Sequence, residues 1–192
     1  MRPMGEQRGL GVWGHRSTFL CFLRTGPHIP IDFRAGARYH APRVMTRRPP
    51  QAHGAGVETT FRVRYAETDG QGIVYSSHYL VWFEIGRTEW CRRAGIDYRG
   101  LEAQGFLLVV AEAHCRYLSP ARYDDEVTVR CWLPLAQRRR LEFRYEVLLP
   151  AEGRRLAVGE TVHVWVNREG RPIMLPEPLH RMFQSGPAAS AE

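Results

Sequence analysis

The amino-acid sequence predicts an α+β domain: one long central helix covered by an antiparallel sheet of about five strands. Three observations carry this expectation. A short alternating stretch near residue 61 runs through a glycine-rich turn into a helix that is apolar nearly all round. Four further alternating runs follow one another with no helical pattern between them, the signature of strands paired antiparallel. The segment from 57 to 185 has the length of one domain with a single core.

The elements follow in chain order. Phe61, Val63 and Tyr65 alternate with Arg62 and Arg64, the period of a half-buried strand. Asp69-Gly70 and Gly72 supply turn chemistry. Ser76 or Ser77 suits the N-cap of a helix expected over 77–94, with Gly95 just past its end. Tyr79, Leu80, Val81, Trp82, Phe83 and Ile85 make its first half apolar on every side, so it is expected to be buried. Gly86 within it costs stability relative to alanine, and a close helix–sheet contact is the reason to keep it. Glu84 and Arg87 read as an ordinary surface pair at helical spacing.

Four strand patterns come next. Val109, Ala111, Ala113, Cys115 and Tyr117 share one phase until Pro120. Val127, Val129, Cys131 and Leu133 share the second, Leu141, Phe143, Tyr145 and Val147 the third, and Val158, Val162, Val164 and Val166 the fourth. A turn is expected over 167–170 and a short helix over 176–183. Residues 1–56 show no sustained period and read as a disordered or spurious leader, with Met45 an alternative start; 186–192 read as a disordered tail.

Charge and composition exclude several function classes. The formal net charge is +7, but all 27 basic residues are arginine, and nine of them, with only two acids, fall in residues 1–56. The remainder carries eighteen of each sign and is neutral, so the basic excess does not mark the domain as a nucleic-acid binder. Cys21, Cys91, Cys115 and Cys131 have no metal or disulfide spacing, and no metal site is expected. Cys115 and Cys131 are expected to be buried thiols. No apolar run reaches the ~18–20 residues of a membrane helix.

The chemistry concentrates in Tyr65-Ala66-Glu67-Thr68-Asp69-Gly70-Gln71-Gly72-Ile73-Val74-Tyr75, followed by Tyr79 and Trp82-Phe83-Glu84. A carboxylate on a glycine-rich turn beside a helix N-terminus stands next to free backbone N–H donors. Such a pair can polarise a carbonyl and activate a water over it. From the turn alone, Asp69 reads equally as a residue that shapes an Asp-Gly turn.

This stretch, with Tyr117-Leu118-Ser119-Pro120-Ala121-Arg122-Tyr123-Asp124-Asp125, resembles the 4-hydroxybenzoyl-CoA thioesterase family of hot-dog-fold acyl-CoA thioesterases, including members associated with the Tol-Pal system. The resemblance runs from about Thr59 to about Phe183. It implies the hot-dog fold, hydrolysis of an acyl-CoA thioester, no cofactor beyond the coenzyme A of the substrate, a cytoplasmic homodimer or homotetramer, and sites shared between subunits. Asp69 takes the place of the family's catalytic carboxylate, as general base or as nucleophile. Backbone N–H groups of Tyr75, Ser76 and Ser77 are expected to face the thioester oxygen. Many relatives carry a histidine directly after the tyrosine; here that position is Ser76, and His78 is the auxiliary candidate. Arg138, Arg139 and Arg140, in the turn between the second and third later strands, are candidates for the coenzyme A phosphates, or a solvated charge run. Glu67 is expected to be structural or solvated. Trp82, Phe106 and Leu107 are either acyl-pocket lining or plain core. A hot-dog hydratase or dehydratase and a non-catalytic acyl-CoA-binding module are the alternatives.

Overall fold

The computed structural model describes residues 53–188, which lie within one compact unit, Met45–Glu192. The leader assignment for 1–52, Cys21 and the last residues of the tail fall outside the described residues. The order is β1 (His53–Arg62), α1 (His78–Arg93), α2 (Tyr98–Ala103), β2 (Leu107–Tyr117), β3 (Glu126–Ala136), β4 (Arg140–Leu149), β5 (Arg154–Val166) and α3 (Glu177–Ser185). The five strands form one sheet, β1-β3-β4-β5-β2, with every neighbouring pair antiparallel. The sheet curls around α1, as expected.

The core is the contact between α1 and the inner face of the sheet. Trp82, Phe83 and Trp90 on α1 are fully buried, against Val127, Val129 and Cys131 of β3 and Leu141, Phe143 and Tyr145 of β4. Phe83 stacks on Tyr145 with ring centroids 4.3 Å apart. Two glycines set the spacing. A Cβ on Gly86 would lie 2.8 Å from Val129 Cγ1, so the helix rests directly on β3. A Cβ on Gly159 would collide with the ring edge of Phe83 and with the His114 carbonyl. α3 closes one end through Phe183, which packs on Trp90 and Trp165.

The outer face of the sheet is tiled with charge. Glu58, Arg130 and Glu146 stand opposite one another on β1, β3 and β4, and Arg155 joins Glu146 at 3.5 Å. A second row links Arg140, Glu142, Arg144 and Glu160. Alternating sign along these rows satisfies each arginine fork without a third layer of structure.

Five readings are corrected. β1 ends at Arg62, and Tyr65–Glu67 form a 3-10 turn, so Tyr65 is 78% exposed. α2 was not expected; Asp97 caps it by accepting from Gly100 N–H. On β5 the phase facing α1 is Gly159, Thr161, His163 and Trp165, not the valines; Val162 and Val166 are also buried, so the strand is covered on both sides and its periodicity misleads. Arg87 reaches inward to His163 Nε2 at 3.4 Å rather than to Glu84. Cys131 is buried, whereas Cys115 is only partly so, because β2 is an edge strand exposed along most of its length.

Gly159→Ala is expected to lower stability by about 1–3 kcal/mol, the usual cost of overpacking. The urea unfolding midpoint checks it; an unchanged midpoint would show that Phe83 can yield.

Candidate active site

The loop between β1 and α1 is held at successive rungs. Glu67 O accepts from Tyr75 N–H at 2.9 Å, Thr68 bridges Val74, and Asp69 N–H donates to Ile73 O at 2.9 Å. Gly72 closes the turn with φ 72°, a left-handed conformation that favours glycine. Val74 N–H donates to Ala121 O, fastening the loop to the connection between β2 and β3. Arg122 adds a bond from Nη1 to Gly72 O at 3.3 Å.

Beneath this loop lies Glu67, 2% exposed. Its carboxylate accepts from Arg64 N–H at 2.7 Å, Trp82 Nε1 at 3.0 Å and Arg64 Nη2 at 3.1 Å. Burial alone would push this carboxyl up; the hydrogen bonds from Arg64 and Trp82 outweigh it and hold the group below the ordinary carboxylate value. Glu67 is therefore structural, as one of the two expectations had it, and it ties the loop to the second turn of α1. Trp82 is core and belongs to this anchor.

Above it, an open cleft of about 500 Å³ is lined by Asp69, Gln71, Ile73, Val74, Tyr75, Ser76, Tyr79 and the segment 117–120. Asp69 is half-buried, and its Oδ1 accepts from Gln71 N–H at 2.8 Å. One carboxylate oxygen thus shapes the turn while the residue also faces the cleft; the turn-forming and functional readings are compatible. Among the expected backbone donors, Tyr75 N–H is already used by Glu67 O. Ser76 and Ser77 N–H make no backbone hydrogen bond among the described residues, and Ser76 lines the cleft. Ser77 takes the N-cap position in a helical conformation without a side-chain cap, so nothing from its hydroxyl blocks the helix start. His78 begins α1 and does not line the cleft.

The arginines of the β3–β4 turn are not brought to this cleft within one chain. Asp125, next to the start of β3, accepts from Val63 N–H beside the Asp69 loop, whereas Arg138 lies past the other end of β3, ~33 Å away at about 3.3 Å per residue. Arg138 Nε donates to Leu175 O at 2.8 Å and pairs with Glu177, anchoring the approach to α3. Arg140 pairs with Glu142. Arg139 is exposed and has no ion pair among the described residues. Tyr79 and Tyr117, which line the cleft, lie in the stretches that carry the family resemblance, but their residue types did not mark them as site residues. No group of metal-ligating side chains occurs among the described residues, and no described helix is long and apolar enough to cross a membrane.

Glu67→Gln is expected to weaken the fold at neutral pH by about 1–3 kcal/mol, since its amide N–H₂ would face donors. The sign with pH follows from the lowered value: the carboxylate stabilises the folded state above the unfolded value near 4.5 and ceases to as pH falls through the folded value. Urea midpoints of both proteins should therefore converge below pH 4.5; a constant gap would sink this account.

Comparison with known proteins matches the same region. The thioesterase-like superfamily profile covers residues 63–183. The Bacillus subtilis protein named "Putative acyl-CoA thioesterase YneP" is 35% identical over 58% of this chain and 80% of its own length. The acyl-CoA thioester hydrolase YbgC of Escherichia coli is 29% identical over 64% of this chain and 92% of its own. The crystal structure of a DHNA-CoA thioesterase from Staphylococcus aureus superposes with TM-score 0.64 at 28% identity, over 67% of this chain and 88% of that one. The chain belongs to the thioesterase-like superfamily of hydrolases, and its five antiparallel strands around α1 are the hot-dog thioesterase fold.

Proposed function

We propose that this protein is an acyl-CoA thioesterase of the 4-hydroxybenzoyl-CoA thioesterase type. The observation that carries the reading is the shared cleft: Asp69 and Ser76, whose N–H has no backbone partner among the described residues, line one opening at the start of α1. Asp69 takes a proton from water as the water oxygen bonds to the thioester carbon; the C–S bond then breaks, and the coenzyme A thiolate leaves and is protonated. The Ser76 N–H, joined by Ser77, meets the negative charge that develops on the carbonyl oxygen, a contribution typically of about 10²–10³ in rate per donor. A hydratase would draw on a histidine–acid pair, and no histidine among the described residues lines this cleft.

A homodimer completes the reading. β2 is an edge strand with one side unpaired, and Val109 and Val110 on it, with Leu80, Val81 and Ile85 on α1, are exposed. Antiparallel pairing of β2 with a second copy covers them. It also sets the partner's Arg138, Arg139 and Arg140 about three strand spacings, ~14 Å, from the Tyr117 end of β2, where the cleft opens. The pantetheine arm spans such a gap, so the arginines serve the phosphates from the other subunit.

The expected outcome is turnover of acyl-CoA thioesters by the wild type and a loss of at least about 100-fold for Asp69→Asn, read by thiol release. Equal activity of the two would reduce Asp69 to a turn residue; tight coenzyme A binding without turnover by the wild type would make the protein a binding module. Arg139→Ala is expected to raise KM with kcat unchanged, and sedimentation velocity to show a dimer. A monomer with full activity would remove the shared site.

A further inference from the structure

We infer that Tyr117, the last residue of β2, is a positioning residue for the helix-start donors Ser76 and Ser77, an inference that rests on the thioesterase reading. Its hydroxyl donates to Ser76 O at 2.9 Å, across a separation of 41 residues. Ser76 lines the cleft, and neither its N–H nor that of Ser77 has a backbone partner among the described residues. The peptide planes on both sides of it are thereby held. On the N-terminal side, His78 N–H donates to Tyr75 O at 2.9 Å and fixes the plane carrying the Ser76 N–H. On the C-terminal side, the plane carrying the Ser76 carbonyl and the Ser77 N–H is fixed by Tyr117.

The second plane is the vulnerable one. Ser76 precedes α1 and gains nothing from the helical ladder, so its carbonyl is held by the phenol or by water. If the plane rotates, the negative end of a peptide dipole swings toward the place where the oxyanion forms. A carbonyl there opposes the charge that the N–H is meant to stabilise, and such reorganisation is what a preorganised donor avoids. Tyr117 prevents this by keeping the carbonyl engaged on its own side.

The phenol is itself braced. The Tyr117 ring meets the Tyr79 ring edge-on with centroids 5.1 Å apart, and Tyr79, 3% exposed, accepts from Ala121 N–H through its hydroxyl at 3.3 Å. Tyr117 is 48% exposed, so its hydroxyl is not needed to satisfy a buried group. Among the described residues its hydrogen bond to the backbone goes to Ser76 O, at the helix start, and the Cys115 thiol on the same strand is its side-chain partner.

Tyr117→Phe in the full-length protein tests this, since it keeps the ring and removes the hydroxyl. A transition-state interaction lowers kcat and kcat/KM together and leaves KM alone. The expected result is a kcat about 10-fold lower, KM within about two-fold and an unchanged melting temperature, because only part of one donor's effect is lost. The amide ¹H–¹⁵N resonances of Ser76 and Ser77 should shift in the variant without substrate. Tyr117→Leu removes the ring as well, and any stability it loses beyond Phe reports packing on Tyr79. Unchanged kcat and unmoved amides in Tyr117→Phe, with an active wild type, overturn the inference alone. A fall in kcat accompanied by a lower melting temperature and a higher KM also overturns it, in favour of a structural role. A wild type inactive on every thioester overturns the thioesterase reading, and the inference with it.

Discussion

The rest of this structure depends on how closely α1 lies against its sheet. An apolar helix with tryptophans and phenylalanine on its buried side is held off a sheet by the bulk of those side chains. Here Gly86 removes a side chain from the helix and Gly159 removes one from the strand, letting Val129 and Phe83 fill those places. Phe83 can then lie flat on Tyr145. Neither glycine serves a turn; both are absences of volume that fix the depth of the core.

From that core, rigidity passes to the cleft through Glu67. Its carboxylate touches Trp82 in the packed helix, and its backbone touches Tyr75 at the end of the loop. The charge is buried, yet its hydrogen bonds come from an indole, a backbone amide and a guanidinium, so the cost of desolvation is met locally. The loop bearing Asp69 is short, bonded rung to rung and anchored below by an acid. Chemistry that needs two groups held to fractions of an ångström is best supported in such a place.

Much of this was legible in the sequence, and the exceptions have physical reasons. The helix was readable because its apolar residues exceed what any surface helix carries, and β3 and β4 because Val127 to Leu133 and Leu141 to Val147 hold one apolar phase without a break. β5 was misread because both its faces are covered, so valines on the outer phase outnumber the inner Gly159, Thr161, His163 and Trp165. β2 was misread because an edge strand need not bury either phase. Asp69 stood out by its turn, but the fate of each N–H did not: that Tyr75 donates to Glu67 while Ser76 is free depends on where a loop folds back, which residue types do not encode. The distance of the β3–β4 arginines from Asp69 likewise follows from strand length and sheet order rather than from spacing along the chain.

The charged outer face of the sheet has a thermal consequence. Four glutamates and four arginines there form linked rows along and across the strands rather than isolated pairs. At room temperature such exposed pairs contribute little, about 0–1 kcal/mol each. Hydration of ions weakens on heating, so the penalty for drawing them together shrinks while the hydrophobic contribution levels off. This side of the molecule therefore carries a growing share of the stability as temperature rises, and it does so with guanidinium groups alone, which keep their charge at any pH the fold survives.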